Sequence, residues 1–345
     1  IRKDIRVINY SLLGIDWYIN QLRYKVNESP AIDVIWSADQ IEGSKRDYIE
    51  YKPNASMPDD KFYNLYDVMK NYVGKDNPDN DYSFPVKNVT VPVDVAAAIK
   101  NGTVNATDSV LSSLDFSLPR NALMKNESAV LNIIAANNWK RPIYFTNAGA
   151  ELGFDQFLRR DGLSYRLAPV KNSKVNTNWM LDKLTNKFSF GNADKPGVYF
   201  DEENRRHLGG IRSAYAELAI DLAAKNRKEE AKVVLNKADK MMHESNFGYG
   251  LTSRGNLHNR NSLLFLDACY LAGDQALIQK VSAAVKKDLT QQVNYYNSLS
   301  GMKAENMAQE KQTAEGYLQA LTQMQTMYNP SVEIPGKVMS KDTNR

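Results

Sequence analysis

Six side chains in this chain of 345 residues could meet a small polar ligand. Asn9, Ser11, Asp16 and Trp17 follow a first strand expected over residues 5–9, and Thr146 and Asn147 follow a later one expected over 143–146. Asparagine and aspartate offer paired hydrogen bonds and tryptophan an apolar ring face, a combination that suits a sugar. In open α/β sheets ligands sit beyond the carboxyl ends of the strands, which is where both groups would gather. The competing reading is structural: Asp16 caps the helix it opens and Trp17 packs in the core. Trp139 beside Arg141 poses the same choice, and packing under the sheet is the preferred reading there.

Other constellations offer less. His207, His243 and His258 have no partner at metal-ligand spacing, so neither a metal site nor a cofactor is expected. Gly149 and Gly153 follow a strand, but two glycines read as a tight turn rather than a phosphate loop. The adjacent carboxylates Asp59 and Asp60, Glu202 and Glu203, and Glu229 and Glu230 point apart on a helix and form no acid–base couple. No Gly-x-Ser-x-Gly elbow occurs. The single cysteine, Cys269, lies in an apolar helical run and reads as a buried core thiol. No catalytic residue is assigned within the chain.

The elements that would position these side chains change character halfway. The first half reads as α/β, with strands expected over 5–9, 32–36, 89–93 and 143–146 and helices over 17–26, 95–100 (capped by Asp94) and 125–136. Segments 154–159 and 163–167 would repeat the helix–strand pattern once more. A helix joined to a strand by a short connection is the unit of a mostly parallel, Rossmann-like sheet. Residues 37–88 are polar, aperiodic and interrupted by proline, and read as an excursion from that sheet. After residue 204 the period is helical throughout. The turns at 222–231 and 271–277 resemble those of tetratricopeptide units, giving an all-α helical-repeat domain, with a plain helical bundle as the alternative. The expected division is an α/β domain over 1–172, a linker over 173–203, helical repeats over 204–328 and a polar tail over 329–345.

With 43% hydrophobic and 24% charged residues the chain can bury a sizeable core. Its net charge of +4 is dispersed, which argues against a nucleic-acid partner. The run Lys225, Arg227, Lys228, Lys232, Lys237 and Lys240 is interrupted by Glu229, Glu230 and Asp239 and reads as a solvated helix face. No apolar run approaches the roughly 18 residues that span a bilayer. The opening, a few residues before an apolar strand, reads as a cut from a longer protein.

Segment 4–22 resembles the stretch just after the membrane region in a family of bacterial polytopic membrane proteins, grouped with protein O-mannosyltransferase-like enzymes of the GT-C superfamily. Segments 91–94, 132–146, 162–169, 187–192 and 198–201 are similar to its soluble C-terminal part, in the same order and spacing. The resemblance implies a lipid-linked sugar donor and a catalytic acidic residue on an early loop of the membrane part, outside this chain. It implies a location on the periplasmic side of the inner membrane, anchored by upstream transmembrane helices. The partners implied are that transmembrane region and acceptor or other periplasmic proteins, held by the helical repeats. Two alternatives stand beside this accessory role: a self-contained sugar-binding or carbohydrate-active domain with its site at the strand ends, and a ligand-free scaffold. Asp108, Ser109 and Val110 match a short pattern used by some bacterial O-glycosylation systems, which makes Ser109 a candidate acceptor.

Overall fold

The computed structural model describes residues 2–76, 82–148, 151–171 and 173–328. Gly149 and the expected tail over 329–345 lie outside them. The chain divides into two compact units, Ile1–Lys174 and Val175–Arg345.

Among the described residues the first unit holds five α-helices: α1 (Asp16–Leu22), α2 (Ala38–Ile41), α3 (Leu65–Val68), α4 (Val95–Lys100) and α5 (Lys125–Asn137). Its strands are β1 (Tyr48–Tyr51), β2 (Tyr63–Asn64), β3 (Ser83–Phe84), β4 (Asn88–Pro92), β5 (Ser113–Ser117), β6 (Ala122–Met124), β7 (Tyr144–Phe145), β8 (Leu158–Asp161) and β9 (Ser164–Leu167). They form three small sheets, in the orders β3-β1-β6, β2-β4-β5 and β7-β9-β8. Only β1–β3 and β2–β4 run parallel among the described residues, so the sheets are mixed and no single, mostly parallel Rossmann-like sheet is present. Strand β4 and helices α4 and α5 fall where expected, and the Asp94 carboxylate caps α4 by accepting the Ala97 N–H at 2.9 Å.

Two expected strands are absent among the described residues, each for its own reason. Residues 5–9 pair with no strand among the described residues, and Val7 is 84% exposed. Segment 32–36 does alternate, burying Ile32, Val34 and Trp36, but side chains take the place of a neighbouring strand. Asn132 of α5 accepts the Ile35 N–H at 3.2 Å and donates to the Asp33 carbonyl at 3.0 Å, while Arg23 donates to the carbonyls of Val34 and Trp36. Likewise 154–167 forms a 3-10 turn and the β8–β9 hairpin rather than helix then strand.

Residues 37–88 are not an excursion. They supply β1, the central strand of its sheet, together with β2 and β3. Two buried cations order this polar stretch. Arg46 donates to the carbonyls of Val73 at 2.8 Å and Gln40 at 2.5 Å, pairs with Asp76 at 2.9 Å and stacks on Tyr82. Lys125 donates to the carbonyls of Ile41 at 3.1 Å and Gly43 at 2.7 Å and pairs with Asp47. Carbonyl oxygens and carboxylates that would otherwise need water are thus satisfied by charge-assisted bonds.

The second unit is helical: α6 (Thr177–Asn186), α7 (Glu202–Ala224), α8 (Lys228–Met241), α9 (Glu244–Phe247), α10 (Leu257–Ala272), α11 (Gln275–Asn297), α12 (Met302–Asn306) and α13 (Ala308–Tyr328). Helix α6 lies inside the segment expected as a linker, and it joins the core because Met180 and Leu184 are fully buried. Helices α7–α8 and α10–α11 form two hairpins, with α10 packed on α7 and α13 on α11. Both hairpin turns use left-handed residues, Asn226 (φ 59°) and Gly273 (φ 75°), to close the helix end. The Arg227 N–H returns to the Leu222 carbonyl at 2.9 Å, and the Asp274 N–H to that of Cys269 at 3.0 Å. Half of the basic run is neutralised locally: Lys225 pairs with Asp221, Arg227 with Glu230 and Lys232 with Glu229. Cys269 is fully buried, and burial pushes its thiol pKa far up.

Candidate functional site

Strand β7 ends at Phe145, and the next two residues, Thr146 and Asn147, line a cleft of about 470 Å³ in the first unit. One wall is apolar because α5 turns Val130, Ile133 and Ile134 toward it at helical spacing. Ile8, Tyr10 and Tyr144 line it as well. Its charged edge is built around the start of α5. Glu127 accepts the Met124 N–H at 2.8 Å, closing the helix N-terminus, and accepts from Arg120 at 2.6 Å. Arg120 also pairs with the exposed Glu151, and these two carboxylates raise its pKa further. Burial, aided by Glu127, raises the pKa of the Tyr10 hydroxyl. Glu127 is therefore spent on a helix cap and an ion pair, and the arrangement suits holding a ligand rather than moving a proton.

The six residues singled out for sugar chemistry fall into two groups. Thr146 and Asn147 line the cleft; Asn9, Ser11, Asp16 and Trp17 do not. The Asn9 amide oxygen accepts the Leu12 N–H at 3.2 Å and closes the 3-10 turn Ser11–Gly14, on which Ser11 is exposed. Asp16 accepts the N–H groups of Trp17 at 2.6 Å and Gly43 at 3.2 Å, and these bonds, Gly43 first, hold its carboxyl below the usual range. Trp17 is half exposed and sits edge-on to Tyr18, so it is not core. Trp139 is buried and donates to the Pro92 carbonyl at 2.7 Å; Arg141 is tied to the Pro30 carbonyl at 3.2 Å. Ser109 is exposed, between Asp108, which pairs with Arg159 at 2.9 Å, and Val110, which bridges Val170.

The sequence reading missed Tyr10, Arg120, Glu127 and Glu151. One signal was present, a glutamate three residues into a helix whose apolar face follows at once. Among the described residues no three His, Cys, Asp or Glu side chains gather as metal ligands, and no helix is long and apolar enough to cross a membrane. Residues 1–185 match the family described as TMEM260-associated domain 2. No curated protein and no solved structure matches the chain.

Proposed function

We propose, because this chain belongs to the TMEM260-associated domain 2 family, that it is the extramembrane accessory part of a membrane-embedded protein O-glycosyltransferase. In this reading the enzyme is O-mannosyltransferase-like, uses a lipid-linked donor and carries its catalytic residues in the membrane part, with this chain on the periplasmic side of the inner membrane. The hairpins α7–α8 and α10–α11 act as degenerate tetratricopeptide-like pairs that present a surface to acceptor or partner proteins.

The observation that carries this reading is the amino-terminal edge. Ile5, Val7, Tyr10, Ile15, Trp17, Tyr24 and Val26 are all exposed. Segments 3–6 and 21–28 lie side by side, tied by the Glu28 N–H to the Lys3 carbonyl at 3.1 Å and by Arg6 to the carbonyls of Gln21 and Tyr24. Arg2, Lys3 and Lys25 are exposed on the same stretch. Clustered apolar side chains on a surface mark an interface, and aromatics interleaved with cations suit the border between protein, lipid headgroups and water.

The test is sugar transfer from a labelled lipid-linked mannose donor to periplasmic acceptor proteins. It compares the full-length protein, this chain alone, and the full-length protein lacking residues 204–330. We expect transfer only in full length, narrowed in acceptor range without the helices and lowered about tenfold or more by Val7→Glu with Tyr24→Glu, a loss of roughly 1.4 kcal/mol or more. Transfer by this chain alone would overturn the reading and favour a self-contained site. For that second reading the supporting observation is the 470 Å³ cleft with Thr146 and Asn147 at its lip. Ser109 is the acceptor candidate within the chain, and its modification predicts an intact mass above that of the bare sequence for protein from its native host, lost in Ser109→Ala.

A further inference from the structure

We infer that the helical unit carries an oxyanion site built on Arg205 and Arg254, for a small organic anion bearing phosphate or carboxylate. It occupies a cleft of about 810 Å³, within the range of roughly 300–1,000 Å³ typical of small-molecule sites. One wall is the first two turns of α7, where Arg205 and Gly209 share a face; the other is segment 251–254 and the start of α10, with Leu257 and Asn261 on one face. The inference is independent of the accessory role proposed above, and its failure would leave that role untouched.

The charge balance of the cleft points to an anion. Its lining holds three arginines and two glutamates. Arg206 and Glu203 neutralise each other as an ion pair. Arg205 has no carboxylate within ion-pair distance among the described residues, and its Nε is buried without a hydrogen-bond partner. Its guanidinium carbon lies 5.8 Å from the centre of the Tyr199 ring, a weak contact that leaves the donor edge uncommitted. Arg254 is exposed and also forms no ion pair among the described residues. The lining thus holds two guanidinium groups without an ion pair among the described residues against one such carboxylate, Glu202. A forked guanidinium matches two oxygens of a phosphate or carboxylate.

The neutral lining suits an organic body on that anion. His258 sits with Nε2 2.8 Å from the Gly248 carbonyl and its ring edge-on to Phe247. It is buried, and burial, with Arg212 and Arg205 nearby, pushes its pKa down to about 4, so at neutral pH the ring keeps an acceptor nitrogen. A side chain at position 209 would begin 3.3 Å from the Asn261 amide nitrogen, and glycine there leaves that amide uncrowded. Leu251 and Leu257 supply apolar surface.

The test is titration calorimetry on the whole chain with pyrophosphate and citrate as probes and glucose as the uncharged control, in phosphate-free buffer at about 0.15 M salt, where diffuse surface attraction is screened beyond roughly 8 Å. We expect at least one anion to bind and glucose not to. Arg205→Gln and Arg254→Gln should each weaken binding about tenfold, the scale of a lost charge-assisted bond. Arg206→Gln, whose charge is spent on Glu203, should change it less than about threefold, and Glu202→Gln should strengthen it. Thermal unfolding of each variant establishes that the fold is kept, and Arg254, exposed at the start of the 3-10 turn Arg254–Asn256, can be changed without touching the core. A preference for pyrophosphate or for citrate identifies the ligand's anionic group. No binding of either anion at millimolar concentration overturns the inference, as does an Arg206→Gln loss equal to that of the other two.

Discussion

Arg46→Ala is expected to destabilise the first unit by about 3–5 kcal/mol, the loss of two charge-assisted bonds to backbone carbonyls, enough to unravel segments 40–43 and 73–76. The residue is 2% exposed, and its guanidinium meets the Val73 and Gln40 carbonyls, the Asp76 carboxylate and the Tyr82 ring at once. Each bond to a charged donor is worth roughly 1.5–3 kcal/mol, and deleting the donor also leaves a buried carbonyl unsatisfied. Arg46→Lys should recover only part of the loss, because an ammonium cannot reach three acceptors in one plane and stack on a ring.

The backbone gives this prediction a second, separable component. Arg46 has φ 59°, in the left-handed region that costs a residue with a Cβ about 1–2 kcal/mol. Arg46→Gly loses the same head group but relieves that strain, so it should be the milder change by about 1 kcal/mol. Urea unfolding of the three variants, with hydrogen exchange at 40–43 and 73–76, measures both effects. A loss below about 1 kcal/mol for alanine would mean that the segment is ordered by its apolar residues, such as Ile41, Ile49 and Val73, and not by the buried cation.

Arg46 also shows why half of the fold was legible in the sequence and half was not. Local signals were sufficient for α4 with its Asp94 cap, for α5 with Ala129, Val130, Ile133 and Ile134 at helical spacing, and for the hairpin turns at Asn226 and Gly273. Each of these is decided within a few residues. Strand pairing is not. Tyr48 lies opposite Met124, and the backbone of residues 33–35 is satisfied by Asn132, almost a hundred positions away. Segment 32–36 was expected as a strand and does bury Ile32, Val34 and Trp36 in alternation, but an apolar segment carries no information about whether a strand or a side-chain amide will serve its backbone. Within the candidate site, Thr146 and Asn147 were legible as residues beyond a strand end. Tyr10, Arg120 and Glu127 meet there only once the chain is folded, and the expected first strand was misleading because no strand among the described residues pairs with it.

Asp108→Asn is the second change expected to be severe, again by about 3–5 kcal/mol, because it leaves a buried guanidinium without its counter-charge. Arg159 is 1% exposed, and Asp108 is its ion-pair partner at 2.9 Å. Its Nε and Nη2 are buried without partners among the described residues, so no second acceptor stands ready to take over. Removing both charges should cost less than removing one. Asp108→Asn with Arg159→Met is therefore expected to be more stable than Asp108→Asn alone, since the apolar stem can stay buried once the charge is gone. The pair also carries a pH signature. Burial alone would raise the Asp108 pKa, but the Asn105 N–H and the Arg159 guanidinium outweigh it and hold the carboxyl below its ordinary value. A depressed carboxylate contributes stability that is fully present above its unfolded pKa of about 3.9 and is lost as pH falls through the folded value. The natural chain should therefore lose stability on acidification below about pH 4 more steeply than the double variant. Urea midpoints measured between pH 3 and pH 7 would display the difference, and identical acid limbs would show that the Asp108–Arg159 pair is neutral in the energetics of the β8–β9 hairpin.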